Sequence, residues 1–197
     1  MKYELTSESM EYCGRTLYRV KAVRSFGNVK KGDLGGWIGS EKNLSQYGLA
    51  WVGGNAMVSG YAEVCDNAVL SESAEVSGSA IVCGSAEVRE SASVGGSAKV
   101  SGYAKVSGYA KAYGSARVKG NAVLRNYDEV CSCNHLITIG GFKYDVTVTP
   151  VSINIGCKSF TFDQLDTIEE HEEFDKETLF RLKSIIELCI DNIIQKI

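Results

Sequence analysis

A branched aliphatic residue recurs at every sixth position of this chain: Val52, Val58, Val64, Leu70, Val76, Val82, Val88, Val94, Val100 and Val106, with Ala112, Val118 and Leu124 keeping the beat. An alanine stands four places after these, from Ala56, Ala62, Ala68 and Ala74 onward to Ala122. A helix would repeat its apolar stripe about every 3.6 residues and a lone strand about every 2, so this period belongs to neither. It marks a repeat architecture.

Each unit reads V-x-G-x-A-x, with the branched and the small residue both directed inward. Gly, or an acidic residue in its place, followed by Asn, Ser or Tyr lets the backbone turn between them. One unit is too short to bury its own valine and is stable only with like units above and below it.

Val52-Gly53-Gly54-Asn55-Ala56-Met57 and Val100-Ser101-Gly102-Tyr103-Ala104-Lys105 resemble the motif of the hexapeptide-repeat family. The resemblance implies a left-handed parallel β-helix of triangular section, three hexapeptides to a coil and about five coils in all. The expected chain is mainly β in three parts: an N-terminal β-hairpin cap over residues 1–36, the β-helix over 37–130, and a small C-terminal α+β domain over 131–197 ending in an amphipathic helix.

In the cap, Thr16 to Val23 alternates apolar and polar as a half-buried strand does, and Cys13-Gly14-Arg15 reads as the turn from an earlier strand. Gly35-Gly36 lacks the Lys-Ser or Lys-Thr of a phosphate loop. Trp37 is expected as a plug over the first coil, and Ile38, Leu44 and Ala50 fall on the alanine beat. In the tail, Leu136–Ile139 with Tyr144–Thr149, and Ser152–Ile155 with Ser159–Phe162, read as hairpin strands. A short acidic helix follows from Asp163. A second has Asp175 as its N-cap and the stripe Leu179, Leu182, Ile186, Cys189 and Ile193, which would pack on the tail sheet or form a seam between subunits.

The net charge of −3 argues against general nucleic-acid affinity. Neither the opening residues nor any later segment has the apolar run of a signal peptide or a membrane span, which predicts a cytoplasmic protein. Seven cysteines without framework spacing suit a reducing compartment. Cys65 and Cys83 would stack in one column at roughly the 4.8 Å strand spacing, a distance that permits a disulfide, although two small residues tolerated on one face is the simpler reading.

Charge is graded along the repeat. Glu63, Asp66, Glu72, Glu75, Glu87 and Glu90 mark the earlier coils, and basic and tyrosine side chains the later ones. The candidate binding residues are Lys99, Tyr103, Lys105, Tyr109, Lys111, Tyr113, Arg117, Lys119 and Arg125, read as one basic, aromatic face for an anionic small molecule or an acidic protein partner. Tyr109 and Tyr127 share a column and should stack.

The residues argue against catalysis. Acyltransferases built on such repeats use a histidine as general base, and proton abstraction near neutral pH needs a group that titrates there. No histidine precedes His135. With only His135 and His171 present, the three-histidine zinc centre of the repeat-family carbonic anhydrases cannot be assembled. Cys131, Cys133 and His135 lie close in sequence but lack C-x-x-C spacing, so no metal and no cofactor is expected. The expected function is a non-catalytic binding protein, a dimer or trimer. Gly14-Arg15-Thr16-Leu17-Tyr18-Arg19 with Gly32-Asp33-Leu34-Gly35-Gly36-Trp37, and Ile137-Thr138-Ile139-Gly140 with Gly156-Cys157, resemble small hexapeptide-repeat proteins of phages and gut bacteria, which implies a phage-related origin and names no reaction. In that setting the missing catalytic groups, the basic later coils and the tyrosines point to antagonism of a bacterial defence system, by sequestering a nucleotide signal or blocking a defence protein. An acetyltransferase-like enzyme and a polymer-forming scaffold are the alternatives.

Overall fold

A computed structural model describes residues 1–132, 136–139, 146–155, 158–167 and 176–194. The repeat folds into a parallel β-solenoid of triangular section in which residue i lies beneath residue i+18, as in Glu87 beneath Lys105 and Ser93 beneath Lys111. One face carries Trp51–Val52, Val69–Leu70, Glu87–Val88, Lys105–Val106 and Val123–Leu124, which make five stacked coils. A second face carries Glu63–Val64, Ile81–Val82, Lys99–Val100 and Arg117–Val118. The third runs from Met57–Val58 to Glu129–Val130 and continues through the N-terminal strands into a sheet of eight.

The valine and alanine columns fill the interior, and every repeat valine and alanine from Val52 to Ala122 is essentially inaccessible to solvent. Their backbones hold the stack: the amide of one coil donates to a carbonyl of the next, as Lys99 N does to Ala116 O at 2.9 Å. A stack of this kind leaves polar backbone groups unpaired at each end, and these must find partners if they are buried. Both ends are closed by side chains.

At the N-terminal end, strand β1 (Tyr3–Tyr12) pairs antiparallel with β2 (Arg15–Ala22) through a turn in which Cys13 and Gly14 both have positive φ. Strand β2 in turn pairs with β3 (Leu34–Ile38), which lies parallel to Met57–Val58. The hairpin therefore extends one face of the prism. The Lys2 ammonium donates to the carbonyls of Ala50 and Tyr47, and the Tyr3 hydroxyl to those of Leu44 and Glu41. Asn43, in a 3-10 turn that takes its own amide off the ladder, donates its side chain to Gly60 O and Ala62 O.

Two expectations for this end need correction. Ile38 and Leu44 lie over Val58 and Val64, in the valine column rather than the alanine one. The step to the next coil is 20 residues there and 18 from Trp51 on, because the turn between Ser45 and Leu49 holds two extra residues. Trp37 is not the plug: it is paired with Met57 on the outer surface, with the Arg19 guanidinium 4.9 Å over its ring. The buried tryptophan is Trp51, with the buried Phe26 edge-on to it at 5.5 Å. Gly35 belongs to this packing, since a Cβ there would lie 2.4 Å from Val52 O and 2.5 Å from the Trp51 ring.

At the far end, the tail strands Ile137–Ile139, Val146–Val148, Ile153–Ile155 and Lys158–Phe160 form an antiparallel sheet. Its apolar residues Val146, Val148, Ile153 and Ile155 pack with Leu179, Leu182, Ile186, Cys189 and Ile193 of helix α1 (Lys176–Ile194). The helix stripe is thus used within the chain, and is not available as a subunit seam. The first tail helix is a 3-10 turn, Phe162–Thr167, and Asp175 lies outside the described residues. The polar residues of the sheet meet the last coil. Thr147 Oγ1 accepts from Val123 N at 3.0 Å, and Asn154 Nδ2 donates to Val123 O at 3.1 Å. Asp128 replaces alanine in the inward column, and its buried carboxylate accepts from Arg125 N, Thr149, Ser152 and Asn154. Among the described residues no helix is long and apolar enough to cross a membrane.

Candidate anion-binding groove

The period of eighteen fixes where each candidate side chain stands. Lys99 and Arg117 lie on the second face, Lys105 on the first, and Lys111 on the third with the hairpin. Tyr103 and Lys119 occupy the turns after Val100 and Val118, Tyr109 and Arg125 those after Val106 and Leu124, and Tyr113 the turn after Ala112. The nine residues therefore encircle the later coils and do not share one face. Six-residue spacing advances one face at a time, so neighbours in the repeat point in three directions.

Part of the set does converge. An open groove of about 520 Å³ beside the first face is lined by Arg89, Glu90, Lys105, Ser107, Arg125 and Asn126, with Gly108 and Val123. Arg89, Ser107 and Arg125 follow the inward residues Val88, Val106 and Leu124, one coil apart each, so two guanidiniums face the same column with Lys105 between them. Glu90 lies among them but is committed: its Oε2 accepts from Gly108 N at 2.5 Å, bracing one coil against the next. The Lys105 ammonium is 3.9 Å from Glu87, an exposed pair too long and too solvated to neutralise the site. The groove is cationic on balance.

Next to it, Tyr109 follows Gly108 and Tyr127 follows Asn126, and their rings stack with centroids 5.4 Å apart and planes within 6°. This is the pairing their shared column implies. Both are well exposed, at 58% and 76%. Tyr113 plays a different part, because its hydroxyl donates to Glu129 and that bond pushes the phenol up to about 12.

Arg89 gives no signal along the chain, because it sits between Glu87 and Glu90 among the acidic coils. Writing the chain in rows of eighteen puts it over Ser107 and Arg125. Cys131 is half-buried, while Cys133 and His135, its neighbours in that cluster, lie outside the described residues, as does His171.

Chemically, the groove can hold an anion between guanidinium and ammonium groups. Among its lining residues the one carboxylate is Glu90, held through Oε2 by the Gly108 amide. No family model and no curated protein matches the chain.

Proposed function

We propose that this protein is a non-catalytic binder of a small phosphate-bearing anion, held in the groove of Arg89, Lys105 and Arg125. The single observation that supports the reading is this convergence of three cationic side chains, with the lining carboxylate Glu90 holding the Gly108 amide. Guanidinium forks suit phosphate oxygens, and exposed tyrosine rings suit a nucleobase. A nucleotide is accordingly the ligand class we favour over a bare inorganic anion.

The repeat motif supports assignment to the hexapeptide-repeat family, and the resemblance of the flanking segments to phage and gut-bacterial members supports a phage-related origin, a setting in which binding a nucleotide would counter bacterial defence. In that setting the protein would act in the cytoplasm, sequestering a nucleotide signal, with a dimer or trimer multiplying the grooves. A polymer-forming scaffold is less favoured, because side chains of Lys2, Tyr3, Thr147 and Asn154 occupy the backbone groups that a further coil would need. An acetyltransferase-like activity has no specific observation in its favour.

The test is a melting-shift and calorimetric screen of linear and cyclic nucleotides, with inorganic phosphate as reference. Native mass measurement on the same sample reads the number of copies. A hit should weaken as salt rises and disappear when Arg89, Lys105 and Arg125 are changed together to Ala. Silence across the panel, or binding that survives the triple change, would remove the proposal.

A further inference from the structure

Away from the groove, at the corner that follows the second face, two thiols and a carboxylate come together. Cys65 follows Val64 and Cys83 follows Val82, and because those valines are register partners the cysteines stack one coil apart. The backbone fixes both: Cys65 N donates to Val82 O at 3.0 Å and Cys83 N to Val100 O at 2.9 Å. Asp66 holds the left-handed turn position at φ 59°. From there its Oδ2 accepts from Gly84 N at 3.0 Å, so the carboxylate reaches across the gap between the two coils. The donor atoms of the three residues all lie within 4.8 Å of one another. Both cysteines are free thiols.

We propose that Cys65, Asp66 and Cys83 form a binding site for a thiophilic divalent cation of the zinc or cadmium kind, with water as fourth ligand. Two soft sulfurs and one oxygen are a donor set such ions accept, and three protein ligands leave an open position. With metal–sulfur bonds of about 2.3 Å, tetrahedral ligation needs the sulfurs about 3.8 Å apart. From donor atoms that all lie within 4.8 Å, the thiols have at most about 1 Å to close, a movement within side-chain rotation while the coil spacing stays as it is. The cysteines are half-buried and Asp66 is exposed, which gives the ion a route in and leaves room for water.

The cation would replace the two thiol protons, which pass to solvent, leaving two thiolates, one carboxylate and the divalent ion; no oxidant is required. Burial, the Asp66 charge and the neighbouring Cys83 push the Cys65 thiol up to about 11. The same carboxylate that disfavours a bare thiolate favours one neutralised by a cation.

The repeat itself supplies well-tolerated replacements. Ser101 occupies the next position of the cysteine column, and Asn126 holds the left-handed position at φ 55°. Cys65→Ser, Cys83→Ser and Asp66→Asn should therefore fold, which circular dichroism and melting would verify. Cadmium titrated into the reduced, metal-free full chain should give a thiolate-to-cadmium charge-transfer absorption that saturates at one ion per chain. Either serine variant should abolish that saturating signal. Asp66→Asn should weaken binding by at least the roughly tenfold that loss of an outer-shell partner costs. No such absorption in the unaltered chain, or an undiminished one in the double serine variant, would overturn the site; the second result would place the metal on other cysteines.

Discussion

The Lys2 ammonium lies 2.8 Å from the carbonyl oxygen of Ala50 and 5.2 Å from the centre of the Phe26 ring, wholly shielded from solvent. Burial, with the Arg24 charge, holds this ammonium down at about 8. A lysine whose native pKa lies below its unfolded value binds fewer protons when folded, so its unfavourable contribution is full below about pH 8 and is relieved as pH rises toward the unfolded value. Lys2→Met removes that titration together with the donor to Ala50 O. The stability difference, unaltered chain minus variant, should grow between pH 8 and 10; at pH 7 the cost of the orphaned carbonyl, about 1–3 kcal/mol, is offset by relief of the buried charge, so the unaltered chain has its smallest advantage there or none. Melting curves of both proteins across that range give the answer, and a difference flat in pH would show that Lys2 is not desolvated.

Gly102 and Gly120 share a column and nearly the same backbone, at φ 76° and 67°, but differ in what lies above them. A Cβ on Gly102 would come within 2.9 Å of the nitrogen and oxygen of Gly120, whereas one on Gly120 would meet nothing within 4 Å among the described residues. Each change to Ala carries the left-handed penalty of about 1–2 kcal/mol. Gly102→Ala should cost more than Gly120→Ala, since the coils must also separate locally. Denaturant midpoints of the two variants decide it; equal losses would mean that the stack absorbs the methyl without strain.

These relationships show what the sequence could and could not reveal. Valine every sixth residue dictates an inward column, and with it the Tyr109–Tyr127 stack, because the coil step is the same throughout the repeat. The tail was legible for a similar reason: the three-and-four spacing of Leu179 to Ile193 leaves a single apolar stripe, which the tail sheet covers. The first coil was misread because the turn between Ser45 and Leu49 breaks the beat with no outward sign, moving Ile38 and Leu44 to the other column. The distribution of the candidate cations is not legible from charge along the chain, because side chains meet across coils. That is why Arg89 went unnoticed and Lys99 and Lys111, twelve residues apart, stand on different faces. Asp128 was the one overt signal overlooked: a carboxylate on the alanine beat announces a partner above it.

That partner suggests a test of how the tail is seated. Asn154 donates to Val123 O at 3.1 Å and to the Asp128 carboxylate at 2.9 Å, both in the contact between sheet and last coil. Asn154→Leu keeps the size of the side chain and removes the donor, leaving a carbonyl and a charged oxygen without it. The expected loss is about 1–3 kcal/mol. Hydrogen exchange should quicken first at the amide of Val123, whose acceptor Thr147 sits directly opposite Asn154 in the sheet. Unchanged exchange at Val123 with lowered overall stability would instead place the damage inside the tail.

The stacked tyrosines allow structure and binding to be separated. Offset aromatic pairs contribute about 0.5–1.5 kcal/mol beyond the area they bury, and this pair, exposed on both sides, should sit near the lower end. A double-mutant cycle of Tyr109→Ala and Tyr127→Ala should therefore show a coupling of about 0.5 kcal/mol in thermal or denaturant unfolding. If the rings also receive a base, each single change should weaken nucleotide binding by the roughly 1–3 kcal/mol typical of one base-stacking contact. Inorganic phosphate, which has no face to stack, should bind the variants as it binds the unaltered chain. Equal weakening for phosphate and nucleotide would mean that the tyrosines only shape the backbone of Gly108 and Asn126, and that the cations of the groove carry recognition alone.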